Sequence, residues 1–158
     1  MAVLGGEPLI ARPLAAARAA GLEAVVVAKP ESVLPGLPVL VEPEAPTHPL
    51  VGLVTALEQG GPVIAVACDQ PWLTPELLRA LADHHGPAIA VADEPFPGRY
   101  EPSQLPILRA ALAEEASLRR TLAQLAPVVL GAPRELVASL NTPEELAAAE
   151  RALAAAQP

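Results

Sequence analysis

Short apolar runs rich in β-branched residues alternate along this chain with stretches rich in alanine and leucine. The apolar runs are typical of strands, and we predict strands at residues 24–27, 39–41, 63–68, 88–91 and 127–130. Strands that are apolar throughout and separated by helices indicate a parallel sheet that helices cover on both faces. We therefore predict an α/β fold with three αβα layers and a mostly parallel sheet.

Proline, glycine and capping residues divide the chain into its other predicted elements. Helices are expected at residues 8–20, 50–58, 74–83, 105–113, 118–125 and 143–155, a short strand at 1–4, and a proline-broken loop at 30–38. Thr74 with Pro75 marks one helix start, and Thr142 with Glu145 forms a capping box at another. Residues 93–100 hold two prolines, a glycine and two aromatic side chains, which favours a surface loop and a candidate lid.

The composition excludes several classes of protein. Hydrophobic residues make up 52% of the 158 residues but only three are aromatic, so we expect an aliphatic core in a single domain spanning residues 1–158. The net charge of −8 and the scattered basic residues argue against nucleic-acid binding. No apolar run approaches the ~20 residues that cross a bilayer, and no secretory signal pattern is present, so we expect a cytoplasmic protein without membrane contact.

The strongest local signal is the predicted strand 63–68, which is followed by a carboxylate, Asp69. Ligands of open α/β sheets bind beyond the carboxyl ends of the strands, so Asp69 is a candidate ligand for a metal or a substrate. The alternative, that Asp69 caps the next helix, is weaker because Thr74 already occupies that position. Cys68 has no neighbouring histidine or basic residue that would lower its pKa, and we interpret this single cysteine as a core residue.

A second candidate is the segment His48-Pro49-Leu50-Val51-Gly52, at the start of a predicted helix. Its glycine would allow a ligand to approach the backbone closely. Gly52 is equally compatible with close packing of the helix on the sheet, and the sequence leaves both interpretations open.

Four segments, taken in order, resemble landmarks of the molybdenum-cofactor guanylyltransferases. They are Gly5-Gly6-Glu7-Pro8-Leu9-Ile10, His48-Pro49-Leu50-Val51-Gly52, Cys68-Asp69-Gln70-Pro71-Trp72-Leu73 and Leu140-Asn141-Thr142-Pro143-Glu144-Glu145-Leu146. The resemblance covers nearly the whole chain and implies a Rossmann-like nucleotidyltransferase fold. It also implies an enzyme that joins GTP to molybdopterin, releases pyrophosphate and uses Mg²⁺.

The resemblance also implies roles for individual residues. Asp69 would bind the metal that bridges the phosphates, and Asn141 would lie near the pterin or the same metal. Arg119 or Arg120 would contact a substrate phosphate. The implied nucleotide-binding residues are Pro49, Leu50, Gly52 and Glu42, with Glu42 or Glu44 standing where the family usually has an aspartate.

One feature of the family has no match in this sequence. Its members have a strand and a glycine-rich loop, with an Arg-Met-Gly run and a lysine that hold the triphosphate, ahead of the Gly-Gly-x-Pro-Leu segment. Here that segment starts at Gly5 and Lys29 is the only lysine, so we expect weak GTP binding and little guanylyl transfer. The open alternatives are a cytidylyltransferase for the same cofactor, a non-catalytic homologue that binds nucleotide or pterin weakly or acts as a partner subunit, and a generic α/β protein with no link to the cofactor. The sequence is also compatible with a homo-oligomer.

Overall fold

Helices and short strands alternate through the computed structural model, which describes residues 2–156 except residues 33 and 35. The strands are β1 (Val3–Leu4), β2 (Glu7–Pro8), β3 (Val26–Ala28), β4 (Val39–Val41), β5 (Val63–Ala65), β6 (Ala88–Ile89), β7 (Gly98–Tyr100) and β8 (Val128–Val129). The helices are α1 (Ala11–Ala19), α2 (Pro49–Leu57), α3 (Pro75–Asp83), α4 (Leu105–Ala113), α5 (Leu118–Leu125) and α6 (Pro143–Ala156). Two 3₁₀ turns lie at Pro102–Gln104 and Arg134–Val137. Residue 1 of the predicted first strand, and residues 33 and 35 of the predicted loop, lie outside the described residues.

The side chains around β5 show that helices cover both faces of the sheet. Val63 and Ala65 pack against a core built from α2, α4 and α5. Ile64 and Val66 pack against a second core, which contains residues of α1 and α3. Because successive side chains of a strand point to opposite faces, the two cores lie on opposite sides of the sheet. The predicted three-layer α/β architecture is confirmed.

The strand pairing is mixed. The largest sheet has the order β5-β7-β6-β8, in which β7 is antiparallel to both of its neighbours and β6 is parallel to β8. Strands β3 and β4 form a separate parallel pair, and β1 and β2 form an antiparallel hairpin that turns at Gly5 and Gly6. The sheet is less parallel than the sequence pattern indicates, because β7 is inserted between β5 and β6.

The predicted surface loop at residues 93–100 is wrong in its last three residues. Gly98–Tyr100 is β7, and Tyr100 is only 1% exposed. A Cβ atom at Gly98 would lie 2.7 Å from Pro95 O and 3.2 Å from Ile89 Cγ2, so only glycine fits between these neighbours without displacing them. The glycine therefore marks a tightly packed central strand, and this part of the segment is no lid.

The capping residues fix two helix starts as predicted. Thr74 Oγ1 accepts a hydrogen bond from Leu77 N at 3.3 Å. Thr142 N donates to Glu145 Oε2 at 3.0 Å and Glu145 N donates to Thr142 Oγ1 at 3.2 Å, which confirms the capping box. In the part of the chain that the structure describes, no helix has the length and apolar character needed to cross a membrane.

Candidate active site

Asp69 lies in the loop that follows β5 and is hydrogen-bonded to the segment before α6. Leu140 N donates to Asp69 O at 2.9 Å, so Asn141 directly follows a residue that contacts the Asp69 backbone. Asp69 Oδ1 is buried and has no hydrogen-bond partner among the described residues. A buried acceptor without a donor is unfavourable, so this oxygen is suited to a cation or to a donor from a ligand. The structure thus brings together two of the predicted site residues, Asp69 and Asn141.

The cap of α6 holds the backbone at Asn141. Asn141 N donates to Glu145 Oε2 at 2.7 Å, and the same oxygen accepts from Thr142 N. These two backbone hydrogen bonds are the main reason why the pKa of Glu145 is lowered. Asn141 itself is exposed, so its side chain is accessible to a ligand while its backbone is fixed.

Gln70, to which sequence reasoning assigned no role, connects three segments around this loop. It is 3% exposed, and its Oε1 accepts from Ala67 N at 3.2 Å. Its Nε2 donates to Phe96 O at 3.0 Å and to Val137 O at 2.8 Å. Both N–H donors and one of the two oxygen lone pairs of the side chain are therefore used to fix the backbone next to Asp69. An uncharged polar residue between Asp69 and Pro71, just after the apolar run of residues 63–68, is the sequence signal that could have indicated this role.

Cys68 is exposed, which corrects its interpretation as a core residue. The reason is that β5 ends at Ala65, earlier than predicted, and Cys68 belongs to the following loop. Partial burial of the thiol and, second, the neighbouring Asp69 carboxylate raise the pKa of Cys68. A raised pKa disfavours the thiolate, so the structure agrees with the sequence in giving Cys68 no nucleophilic role.

Gly52 lies where α2 packs closely against Val27 of β3. A Cβ atom at Gly52 would be 3.0 Å from Glu42 Oε2 and 3.5 Å from Val27 Cγ1. Close helix-to-strand packing, one of the two interpretations left open, is therefore a sufficient reason for this glycine. Glu42 forms an ion pair with Lys29 at 3.3 Å, and Lys29 Nζ also donates to Pro43 O and Pro46 O. The only lysine of the chain therefore forms its ion pair and hydrogen bonds with residues 42–46.

Pro49 and Leu50 occupy different environments at the start of α2. Pro49 is exposed and, with Gly52 and Cys68, lines a cleft of about 480 Å³ between β3 and β5. Leu50 is 0% exposed and belongs to the core under α2. Pro49 and Gly52 are therefore positioned to contact a ligand in the cleft. The Leu50 side chain instead packs in the hydrophobic core and is not accessible to a ligand.

The two arginines lie on another part of the surface. Arg119 Nη2 donates to both carboxylate oxygens of Glu94, at 3.1 and 3.0 Å, and it lines a separate cavity of about 290 Å³ next to Asp93. Arg120 is exposed at the first turn of α5. Among the described residues, neither arginine lines the cleft that contains Pro49, Gly52 and Cys68. Arg119 therefore forms an ion pair with Glu94 at the surface.

A basic residue that sequence reasoning missed lies near the Asp69 loop. The Arg12 guanidinium is 6.0 Å from the ring centroid of Trp72, three residues after Asp69. Arg12 Nε is buried and has no hydrogen-bond partner among the described residues. Arg12 is one of two arginines of the first helix, with Arg18, and its place in the first turn is the signal that could have indicated it.

A carboxylate beyond the carboxyl end of a strand in a three-layer α/β fold is the position at which open α/β proteins generally bind their ligands. A more specific assignment comes from the comparison with protein families. The model of the MobA-like NTP transferase domain matches residues 1–128, and the chain belongs to this family. The protein is accordingly a nucleotidyltransferase-family member, as the resemblance implied.

Solved structures share this fold. Molybdopterin-guanine dinucleotide biosynthesis protein A from Archaeoglobus fulgidus is 22% identical with a TM-score of 0.78, and the match covers 98% of this chain and 89% of that chain. The 2-C-methyl-D-erythritol 4-phosphate cytidylyltransferase from Thermus thermophilus is 21% identical with a TM-score of 0.75, over 97% of this chain and 91% of that chain. At these identities the likeness shows a common fold. The comparison with curated proteins found no match.

Proposed function

We propose that this protein is a nucleotidyltransferase of molybdenum cofactor biosynthesis, which transfers GMP from GTP to molybdopterin and releases pyrophosphate. The observation that carries the proposal is the buried, unpartnered Oδ1 of Asp69 in a loop that is hydrogen-bonded beside Asn141. Membership of the MobA-like NTP transferase family supports a nucleoside triphosphate as the substrate class.

The residues around Asp69 fit a magnesium ion that shares its ligands with the substrate. Mg²⁺ is usually held by one or two carboxylates together with substrate phosphates, and Asp69 provides one carboxylate with a free oxygen. No group of three or more acidic, histidine or cysteine residues able to hold a metal occurs within the described residues, so the phosphates would supply the other ligands. When bound, the ion would neutralise charge on the phosphates during transfer.

The other residues hold the substrates in place. Asn141, whose backbone is fixed by the α6 cap, presents its side chain beside the Asp69 loop and contacts the pterin acceptor or the metal. Pro49 and Gly52 line the cleft and contact the base. Arg120, which is exposed and lies outside this cleft, would contact a phosphate that extends beyond it. Gln70 keeps the Asp69 backbone in one position through its three hydrogen bonds.

One observation favours a second candidate, a homologue that binds nucleotide weakly and does not catalyse transfer. Lys29 is engaged by Glu42 and by two backbone carbonyls, so the only lysine is not free to bind a triphosphate. A lysine or arginine contact to phosphate is a charge-assisted hydrogen bond worth about 1.5–3 kcal/mol. Without it, GTP affinity would fall by roughly one to two orders of magnitude.

Ligand-dependent melting of Asp69→Asn and of a matched control, Asp83→Asn at the exposed end of α3, tests the role of Asp69. GTP at ten times its Kd, with Mg²⁺, should stabilise the wild type by about 1.4 kcal/mol, which is a shift of roughly 3–5 °C for a chain of this size. Asp83→Asn should keep that shift and Asp69→Asn should lose it. An equal shift in both variants would remove Asp69 from the site.

Pyrophosphate release with molybdopterin and either GTP or CTP tests the reaction itself. Release with GTP that requires Mg²⁺ and Asp69 is the expected result. Release with CTP alone would identify a cytidylyltransferase. A magnesium-dependent melting shift without any release of pyrophosphate would identify the non-catalytic homologue.

A further inference from the structure

The outer edge of β8 is apolar and exposed. In the sheet order β5-β7-β6-β8 it is the last strand, and within the described residues it pairs only with β6. Its two residues, Val128 and Val129, are 51% and 46% exposed. Edge strands are open to pairing with another chain unless charged side chains or a covering element prevent it. An exposed apolar edge of this kind therefore marks an interaction surface.

The backbone of Val129 points away from the sheet. Val128 N donates to Pro87 O at 3.0 Å and Leu130 N donates to Ile89 O at 2.9 Å, so the residues on either side of Val129 face β6. Since backbone groups alternate in direction along a strand, the N–H and C=O of Val129 face outward. In the described part of the chain no strand lies on that side, so one donor and one acceptor are open to a further strand.

The side chain of Val129 lies beside a groove under α5. Val129 is opposite Ile89 in the β6–β8 register, and Ile89 packs in the core that contains residues of α5, so both side chains are on the α5 face of the sheet. Val129 lines the cavity of about 290 Å³ together with Leu122, Ala123 and Ala126. A strand added at this edge would place an apolar side chain next to Val129 and against this cavity.

Charge indicates which partner fits this edge. The chain has a net charge of −8, but residues 126–133 contain no charged side chain, so two copies could meet there without repulsion between like charges. Strand β4 also exposes valines, Val39 and Val41. It is followed at once by Glu42 and then by Glu44, which is exposed, and acidic residues at an edge oppose pairing with an identical edge. The β8 edge is therefore the one suited to a second copy of this chain.

We propose that the protein forms a two-fold symmetric dimer in which β8 pairs antiparallel with β8 of a second copy. The axis passes beside Val129, which exchanges both of its outward backbone hydrogen bonds with the partner's Val129. A two-fold interface requires a surface that is complementary to itself, and the open donor, the open acceptor and the groove all belong to Val129 and its neighbours. Asp69 follows β5, which two strands separate from β8, so the dimer is independent of the proposed function.

Sedimentation equilibrium tests the proposal, with protein concentrations from about 5 to 500 μM because an interface between short strands is expected to be weak. The mean mass of the wild type should rise from that of a monomer toward that of a dimer. Val129→Pro removes an N–H that faces away from β6, so this variant should keep the thermal midpoint of the wild type and stay monomeric. A wild type that stays monomeric over the whole range would overturn the proposal, as would a Val129→Pro variant that dimerises normally.

Charged variants that leave the backbone intact test the register. Val129→Lys and Val129→Glu each place like charges across the axis, so each alone should dimerise about tenfold more weakly or worse. An equimolar mixture of the two should form heterodimers, because the axis then brings opposite charges together. Val41→Lys, on the exposed valine of β4, is the matched control and should dimerise like the wild type. Weakening by Val41→Lys alone would assign the interface to β4, and a mixture that stays monomeric would refute the two-fold register at Val129.

Discussion

Replacing Gln70 with alanine should destabilise the protein strongly although the residue belongs to no helix or strand. Gln70→Ala removes hydrogen bonds to three backbone groups, those of Ala67, Phe96 and Val137. Each hydrogen bond contributes about 1 kcal/mol net, and its loss costs more where the backbone group stays buried without a partner. The free energy of unfolding should therefore fall by about 3 kcal/mol. For a chain of this size that corresponds to a fall in Tm of roughly 6–12 °C.

Urea denaturation followed by circular dichroism measures this loss, and Gln59→Ala is the matched control. Gln59 is exposed and makes one hydrogen bond, from its Nε2 to Thr55 O at 3.3 Å. Its replacement should change the free energy of unfolding by no more than about 0.5 kcal/mol. If Gln70→Ala were as stable as the control, the three hydrogen bonds would not hold the Asp69 loop as we argue.

Gln70→Glu adds a pH test of the same geometry. The introduced carboxylate would keep an acceptor for Ala67 N, but it would place an oxygen where the amide nitrogen now donates to Phe96 O and Val137 O. Only the protonated carboxyl can donate there, so its pKa in the folded state should be raised above the usual ~4.3. The stabilisation by the protonated carboxyl is then fully present below the unfolded-state pKa of ~4.3 and is lost as pH rises through the higher folded-state pKa. A variant that is equally destabilised at pH 4 and pH 7 would contradict this reasoning.

Two further predictions concern β7. Gly98→Ala should lower the free energy of unfolding by about 1–3 kcal/mol in urea denaturation, because the new methyl group would meet Pro95 O at 2.7 Å; an unchanged midpoint would show that the strand can shift. Burial raises the pKa of Tyr100, the only tyrosine, so tyrosinate absorbance of the folded protein should develop well above the ~10 seen in denaturant. Because the folded pKa is raised, stability is unaffected below about pH 10 and falls as pH rises further; a folded midpoint near 10 would contradict the burial of the ring.

Elements with local chemical signals could be predicted from the sequence, and elements defined by distant contacts could not. Thr74 and Thr142 identify helix starts because their hydrogen-bond partners lie three residues further along the chain. The strand at Gly98 has no such signal. Its glycine is explained by contacts with Pro95 O and Ile89 and by pairing with β5 and β6, and a proline-rich segment without those contacts would be a loop.

The same distinction applies within the candidate site. Asp69 could be proposed as a candidate because a carboxylate directly follows the apolar run of residues 63–68, whereas two of the three partners of Gln70 lie 26 and 67 residues away. Those partners explain why the site is held together. Gln70 ties the backbone before Asp69 to the segment at Val137, and Leu140 N then bonds to Asp69 O. A disturbance at Gln70 should therefore displace Asp69 and Asn141 together, whereas loss of the Glu145 cap acts on the backbone of the Asn141 segment alone.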